Sequence, residues 1–208
     1  PFTEAFKGVE ILKPKYENQS DLYPAILQLL DDGIANLELT GATIPANHDL
    51  IYSGDANAWI KAAHSLKARY YMRLTNVSAT AASDALAEIA LGFTSADDNM
   101  LFDHYAGVSL TNPNPWSAFW YERDHLSISS SFFKKMDDRN DPRREWFAGA
   151  GVTLEDCAPI GVADQTQGGY PQSQLSTGFF TSRWAAPTPL MTYHELLYIK
   201  AEAEFREG

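Results

Sequence analysis

Residues 189–207 read Pro-Leu-Met-Thr-Tyr-His-Glu-Leu-Leu-Tyr-Ile-Lys-Ala-Glu-Ala-Glu-Phe-Arg-Glu, a segment that contains a complete helix start signal. The Thr192 hydroxyl can accept a hydrogen bond from the amide of Glu195, and the Glu195 carboxylate can reach back to the amide of Thr192. Together these two bonds make a capping box. Met191 and Leu196 flank the cap at the spacing of a hydrophobic staple. The segment therefore predicts a helix that begins at Thr192.

The same helix carries an apolar row that needs a partner. Leu196, Ile199 and Ala203 recur at helical spacing, with Leu197 and Ala201 beside them. The alanines allow a neighbouring helix to approach closely. Because an apolar row must be covered, we expect segments outside these 208 residues to cover it, and we interpret the chain as part of a larger domain.

Apolar residues recur with the helical period in four earlier segments as well. Ser20, Asp55 and Thr80 stand at the starts of three of these segments, where each can cap the free amides of a helix. The predicted helices span residues 20–37, 55–76, 80–91, 127–137 and 192–206.

Two irregular regions separate the helical segments. Residues 93–126 mix aromatic residues with Asn, Pro, Asp and Ser and show no sustained period, which predicts short strands and loops. Residues 148–190 are rich in Gly, Pro, Ser, Thr and Gln, and a loop of that length in a compact domain signals function or disorder. The helical scaffold then comprises about residues 20–92, 127–147 and 190–208.

Four phrases together carry a resemblance to a known family. The first is the helix start at residues 189–207. Residues 51–74 hold an aromatic-x-Gly-Asp turn that is followed by Trp-x-Lys, Ser-Leu-Lys-x-Arg and Met-Arg. Residues 130–147 hold a helix-like segment that is followed by Asp-Pro-Arg at 141–143, and residues 114–116 read Asn-Pro-Trp. Taken in their order along the chain, the four phrases resemble the SusD/RagB family, the nutrient-binding lipoproteins of Bacteroidetes outer membranes.

The resemblance implies a mainly α-helical fold of tetratricopeptide-like hairpins, in which long, irregular, aromatic-rich insertions carry the binding surface. It implies that residues 1–208 are part of one SusD-like domain. It also implies a non-catalytic protein on the extracellular face of the outer membrane, which captures oligosaccharides for import by a SusC-like TonB-dependent transporter. The lipid anchor of such a protein would lie outside this chain, and neither a cofactor nor a metal is implied.

The charge balance excludes some partners. The chain has 27 acidic and 16 basic residues and a formal net charge of -11, which argues against binding to nucleic acid phosphates or anionic lipid headgroups. No run of residues approaches the roughly 20 apolar positions of a membrane span. Cys157 is the single cysteine, so no disulfide forms within the chain.

Catalytic patterns find little support in the sequence. His194 and Glu195 begin like a zinc-protease helix, but Tyr198 stands where the second histidine is required. No phosphate loop, dinucleotide fingerprint or nucleophile elbow occurs. The acidic pairs at residues 97–98 and 137–138 could serve a glycoside hydrolase, although such pairs are typical of solvated helix faces.

Aromatic residues in the irregular regions are the candidate ligand contacts. A sugar ring requires flat apolar faces for its C–H side and polar groups for its hydroxyls, and exposed Trp and Tyr side chains supply both. The candidate binding residues are Trp116, Trp120, Tyr121, Tyr170 and Trp184. The alternative is that these rings anchor the loops to the helices. A peptide ligand, a glycoside hydrolase and a scaffold that docks only the transporter remain alternative functions.

Overall fold

The computed structural model describes residues 2–5, 7–39, 45–105, 112–118, 128–148, 151–157 and 185–208. The helices are α1 (Gln19–Leu37), α2 (Ala56–Met72), α3 (Ala81–Ile89), α4 (Ser130–Asp137), α5 (Arg144–Ala148) and α6 (Tyr193–Glu207). Strands β1 (Met100–Phe102) and β2 (Thr188–Met191) pair into a two-stranded sheet. Short 3-10 helices cover Gly8–Glu10, Ala96–Asp98 and Leu154–Asp156, and residues 115–118 are helical. The fold is mainly α, as predicted, and the tetratricopeptide-like description fits it at that level.

The chain divides into two compact units. The first comprises Pro1–Leu101 and Pro189–Gly208, and the second comprises Phe102–Thr188. In the first unit α2 packs against α1, α3 and α6, and α3 packs against α6. In the second unit α4 packs against α5 and the 3-10 helix Leu154–Asp156.

The core of the first unit lies where α2, α3 and α6 meet. Its buried side chains are Ala62, Ala68, Phe93, Met191 and Leu196. The end of α3 approaches α2 so closely that a Cβ atom built on Gly92 would lie 2.6 Å from the Ser65 hydroxyl. Glycine is therefore the residue that permits this approach.

The start of α2 follows the sequence prediction. Asp55 caps the helix, since its carboxylate accepts from the amides of Asn57 and Ala58 at 2.9 and 3.1 Å. In the preceding turn the Asp49 carboxylate accepts from the Gly54 amide and the Trp59 indole, each at 2.8 Å. Burial raises the pKa of Asp49, but these hydrogen bonds outweigh it and lower the pKa to about 2. The carboxylates of Asp49 and Asp55 thus together fix the aromatic-x-Gly-Asp turn and the start of α2.

The apolar row of α6 corrects one expectation. Leu196 and Ala203 are buried inside the first unit, and Ile199 packs against the same core. The row is therefore covered by helices within this chain, because α2 and α3 both pack against α6. The expectation that segments outside the chain cover the row is therefore wrong for Leu196, Ile199 and Ala203. The exposed apolar side chains of α6 are instead Leu197, Tyr198 and Phe205.

The predicted capping box of α6 forms only in part. The Thr192 hydroxyl accepts from the Glu195 amide at 3.1 Å, as predicted. The Glu195 carboxylate, however, binds the Arg69 guanidinium through two bonds of 2.6 and 2.7 Å instead of turning back to Thr192. A bidentate, charge-assisted pair is stronger than a bond to a neutral amide. Asn99 supplies a further cap, because its side-chain oxygen accepts from the Tyr193 amide at 2.7 Å.

The second unit has a smaller core of its own. Ile128, Phe133, Ala148 and Cys157 are buried together, and Phe147 packs against them. The single cysteine, Cys157, is thus part of this core, and its thiol donates to the Thr153 carbonyl at 3.4 Å. None of the helices in the described ranges has the length and hydropathy needed to cross a membrane.

Candidate functional site

Of the five candidate ligand contacts, Trp116 is the one that the structure describes. Its side chain is 51% exposed, which is high for a tryptophan in a folded unit. Trp120, Tyr121, Tyr170 and Trp184 lie outside the described residues, so their contribution to a site stays a prediction.

Trp116 is held at the start of a helical turn. Asn114 caps this turn, because its side-chain oxygen accepts from the amides of Trp116 and Ser117 at 2.9 and 3.2 Å. Pro115 occupies the first helical position, where its missing amide does no harm. The Asn-Pro-Trp phrase is therefore a helix start that presents the indole at its second position.

Asn114 also ties this turn to the second irregular region. Its side chain is fully buried, and its amide nitrogen donates to the Ala186 carbonyl at 2.8 Å. The same nitrogen lies 3.3 Å from the Thr188 hydroxyl. Ala186 is two positions after Trp184 in the sequence. The described parts of the two irregular regions thus meet through one buried amide.

Aromatic and polar groups that the sequence analysis did not select lie near Thr188 and the Asn-Pro-Trp turn. The Tyr105 hydroxyl lies 2.8 Å from the Thr188 hydroxyl, and the Phe102 ring packs edge-on against Tyr105 at 5.0 Å. The Asn112 amide donates to the His104 carbonyl at 2.9 Å. Phe102 and Tyr105 lie in and just after a short strand, and no local pattern distinguishes them from ordinary core residues.

Trp146 is a second exposed tryptophan that the sequence analysis missed. It lies on α5 and is 69% exposed. The sequence analysis assigned residues 127–147 to the helical scaffold, where an aromatic residue is expected to be core. The signal that could have found it is the shortness of α5, since a helix of five residues can bury few of its side chains.

One member of each acidic pair is bound by a cationic side chain, Asp98 by Lys61 and Asp137 by Arg144. A general acid needs a raised pKa. Burial raises the pKa of Asp98, but hydrogen bonds from Thr94, Lys61 and Ser95 outweigh it and lower the pKa to about 2. Asp137 forms an ion pair with Arg144. Within the described residues no group of three or more His, Cys, Asp or Glu side chains could hold a metal ion.

Comparison with known proteins settles the family. The family model described as "Starch-binding associating with outer membrane", SusD-like, matches residues 1–207. This chain belongs to the SusD-like family. None of the curated proteins matches this chain.

Several solved structures are similar to this SusD-like chain. A SusD/RagB family protein from Bacteroides thetaiotaomicron is 35% identical, with a TM-score of 0.77 over 93% of this chain and 43% of that chain. A chitin-binding protein is 28% identical, with a TM-score of 0.73 over 93% of this chain and 45% of that chain. A chitin-binding SusD homolog from Flavobacterium johnsoniae is 19% identical, has a TM-score of 0.74 over 98% of this chain and 43% of that chain, and shows the fold alone. The chain therefore spans less than half the length of these proteins.

Proposed function

We propose that this chain is part of a non-catalytic protein of the outer-membrane surface, which captures oligosaccharides for import by a SusC-like TonB-dependent transporter. The observation that carries the proposal is the exposed indole of Trp116, held by the buried Asn114 beside the segment that follows Trp184. The 28% identical relative that is named a chitin-binding protein supports a carbohydrate ligand.

The affinity of such a site for a short oligosaccharide is expected to be weak. Stacking of two or three rings on sugar faces contributes ~0.5–1.5 kcal/mol for each ring, by analogy with aromatic pairs. A millimolar complex requires roughly 4 kcal/mol. Hydrogen bonds to the sugar hydroxyls must supply the remainder.

Replacing both Trp120 and Trp184 with alanine is expected to abolish measurable binding of chitohexaose and maltohexaose. The physical reason is that the complex is already weak and loses two of its stacking faces. Isothermal titration calorimetry measures the binding, and thermal unfolding of the same samples measures the stability. The melting temperature is expected to stay nearly unchanged.

The matched control is Tyr198→Ala. Tyr198 is a similarly large aromatic residue that is 76% exposed on α6, in the first unit, and its removal is expected to leave both binding and melting temperature unchanged. A large fall in the melting temperature of the double variant would show that Trp120 and Trp184 anchor the loops, and the site would then have to lie elsewhere. Binding of a peptide library with no binding of either oligosaccharide would favour the peptide alternative.

Purified protein is expected to bind oligosaccharide without cleaving it. Reducing-end release from chitohexaose over a day should not exceed that of a buffer blank. Release above the blank that disappears when one carboxylate, such as Asp137, is replaced by asparagine would favour the glycoside hydrolase.

The transporter partnership predicts that the full-length protein co-purifies with a TonB-dependent transporter from its own outer membranes.

A further inference from the structure

The second unit contains a groove that is separate in sequence from the Asn-Pro-Trp turn. It has a volume of about 350 Å³ and lies at the junction of α4 and α5, where residues between Met136 and Glu145 line it. The volume lies within the range of small-molecule sites, roughly 300–1,000 Å³. The Asp-Pro-Arg phrase, which the sequence analysis used only for the family resemblance, contributes two of its lining residues, Asp141 and Pro142.

The backbone beside this groove is fixed by the end of α4. Asn140 has φ 48°, the left-handed conformation that asparagine tolerates after a helix. The Asn140 amide donates to the Asp137 carbonyl at 3.0 Å, and the Asp141 amide donates to the Met136 carbonyl at 2.9 Å, which together form a Schellman motif. The Asn140 side-chain amide makes no hydrogen bond to any residue in the described ranges and remains available to a ligand.

Ion pairs hold the charged walls of the groove in place. Arg144 pairs with Asp137, and its guanidinium carbon lies 5.6 Å from the centre of the Phe133 ring. Asp141 accepts two bonds from the Arg143 side chain at 2.9 and 2.6 Å. These side-chain bonds, followed by the bond from the Arg143 amide, lower the pKa of Asp141 to about 2. Groups that are oriented before a ligand arrives lose less entropy on binding.

The chemistry of the lining suits a neutral sugar. Each sugar hydroxyl both donates and accepts, and the groove offers carboxylates that accept together with a guanidinium and an amide that donate. Met136 and Pro142 add an apolar surface for the C–H side of a ring. Glu145 lines the groove without an ion-pair partner among the described side chains. Because the lining holds three acidic residues and one basic residue, an anionic ligand is disfavoured.

We propose that this groove is a second saccharide-binding subsite, which takes a neutral sugar residue and rejects one that bears a carboxylate or a sulfate. The proposal rests on the proposed function, since it assumes that the ligand of the whole protein is a carbohydrate. Glu145 and the Asn140 amide are the specificity-determining contacts. Trp146, which follows Glu145 on α5 and is largely exposed, provides a spectroscopic reporter.

The test is nuclear magnetic resonance titration of the whole chain with a neutral trisaccharide, chitotriose, at millimolar concentration. The side-chain amide signal of Asn140 and the indole signal of Trp146 are expected to shift with increasing chitotriose. Trigalacturonic acid at the same concentration is expected to leave both signals in place. Glu145→Ala combined with Asn140→Gly is expected to abolish the shift of the Trp146 signal. Glycine keeps the left-handed backbone, so this variant removes the amide without breaking the helix end.

The matched control is Glu155→Ala, which removes an exposed carboxylate of the same unit outside the groove and is expected to leave the shifts unchanged. If the double variant loses stability, Glu145→Ala alone gives the decisive result, because Glu145 is exposed and caps no helix. Unchanged shifts in that variant, or equal shifts with trigalacturonic acid, would overturn the subsite. The proposed function would still stand if the parent bound chitohexaose in the calorimeter, and would itself fail if the parent bound no oligosaccharide by either method.

Discussion

Replacing Lys67 with methionine is expected to lower the free energy of unfolding by about 3 kcal/mol, the lower end of the cost of removing one partner from a buried ion pair. The Lys67 ammonium on α2 lies 2.6 Å from Asp31 on α1 and 2.5 Å from Glu88 on α3, and its side chain is almost fully buried. Burial lowers the pKa of Lys67, but hydrogen bonds to the two carboxylates outweigh it and raise the pKa. One cation thus holds three helices together.

The size of this effect follows from what methionine leaves behind. The Glu88 side chain is only 14% exposed, and without Lys67 its remaining ion-pair partner among the described residues is the His64 ring nitrogen at 2.6 Å. An incompletely compensated buried charge costs several kcal/mol. The Asp31 side chain is half exposed and can turn to water. The expected loss in free energy of unfolding therefore stays at the lower end of the range for a buried ion pair.

Denaturant unfolding monitored by circular dichroism measures this difference. Lys134→Met is the matched control, since Lys134 also pairs with one aspartate, Asp138, but both side chains are exposed. Exposed pairs contribute about 0–1 kcal/mol, so the control is expected to change stability little. Equal stabilities for the Lys67 variant and the parent would show that the cluster does not join α1, α2 and α3 energetically.

Replacing Asn114 with alanine is expected to destabilise the second unit by about 2–3 kcal/mol and to weaken oligosaccharide binding. The loss of the helix cap accounts for ~1 kcal/mol. The buried Ala186 carbonyl loses the donor that lies 2.8 Å away, which adds ~1–2 kcal/mol. Binding weakens because Trp116 is no longer held beside the segment that follows Trp184.

Asn112→Ala serves as the control for this prediction. Asn112 is an exposed asparagine two positions earlier, and among the described residues its amide donates to the His104 carbonyl. Its loss is expected to change the free energy of unfolding by less than about 0.5 kcal/mol, as for most surface substitutions. If both variants unfold at the same denaturant concentration, the buried amide of Asn114 has no special structural role.

The helices of the scaffold could be predicted because their signals are local. Apolar spacing and a cap at Asp55 located α2, and the predicted ranges of the five helices lie within a few residues of the observed ones, apart from the C-terminal end of α2. Individual caps were less certain. Ser20 was predicted to cap α1, but the helix begins before it, at Gln19. Thr80 precedes α3, yet its hydroxyl donates to Asp84 instead of accepting from a backbone amide.

The candidate site was only partly accessible to the same reasoning. Aromatic residues in irregular segments pointed to Trp116, whose ring is 51% exposed, and its contact with a ligand stays a prediction. Trp146 was missed, since it is followed by the apolar residues Phe147 and Ala148, which are partly and fully buried, and the segment resembles core. The groove beside Asn140 was also missed, because its shape depends on how the end of α4 meets α5.

The sequence by itself determined which segments are helical, where the turns before them lie, and which family the chain resembles, because hydrogen-bonding caps and apolar periods act between residues a few positions apart. Only the tertiary structure decided which partners those residues choose. Glu195 binds Arg69, 126 positions away, and Asn114 binds the Ala186 carbonyl, 72 positions away. The physical reason is that such bonds form only after apolar burial has brought distant segments together, and no local pattern specifies the pairing in advance.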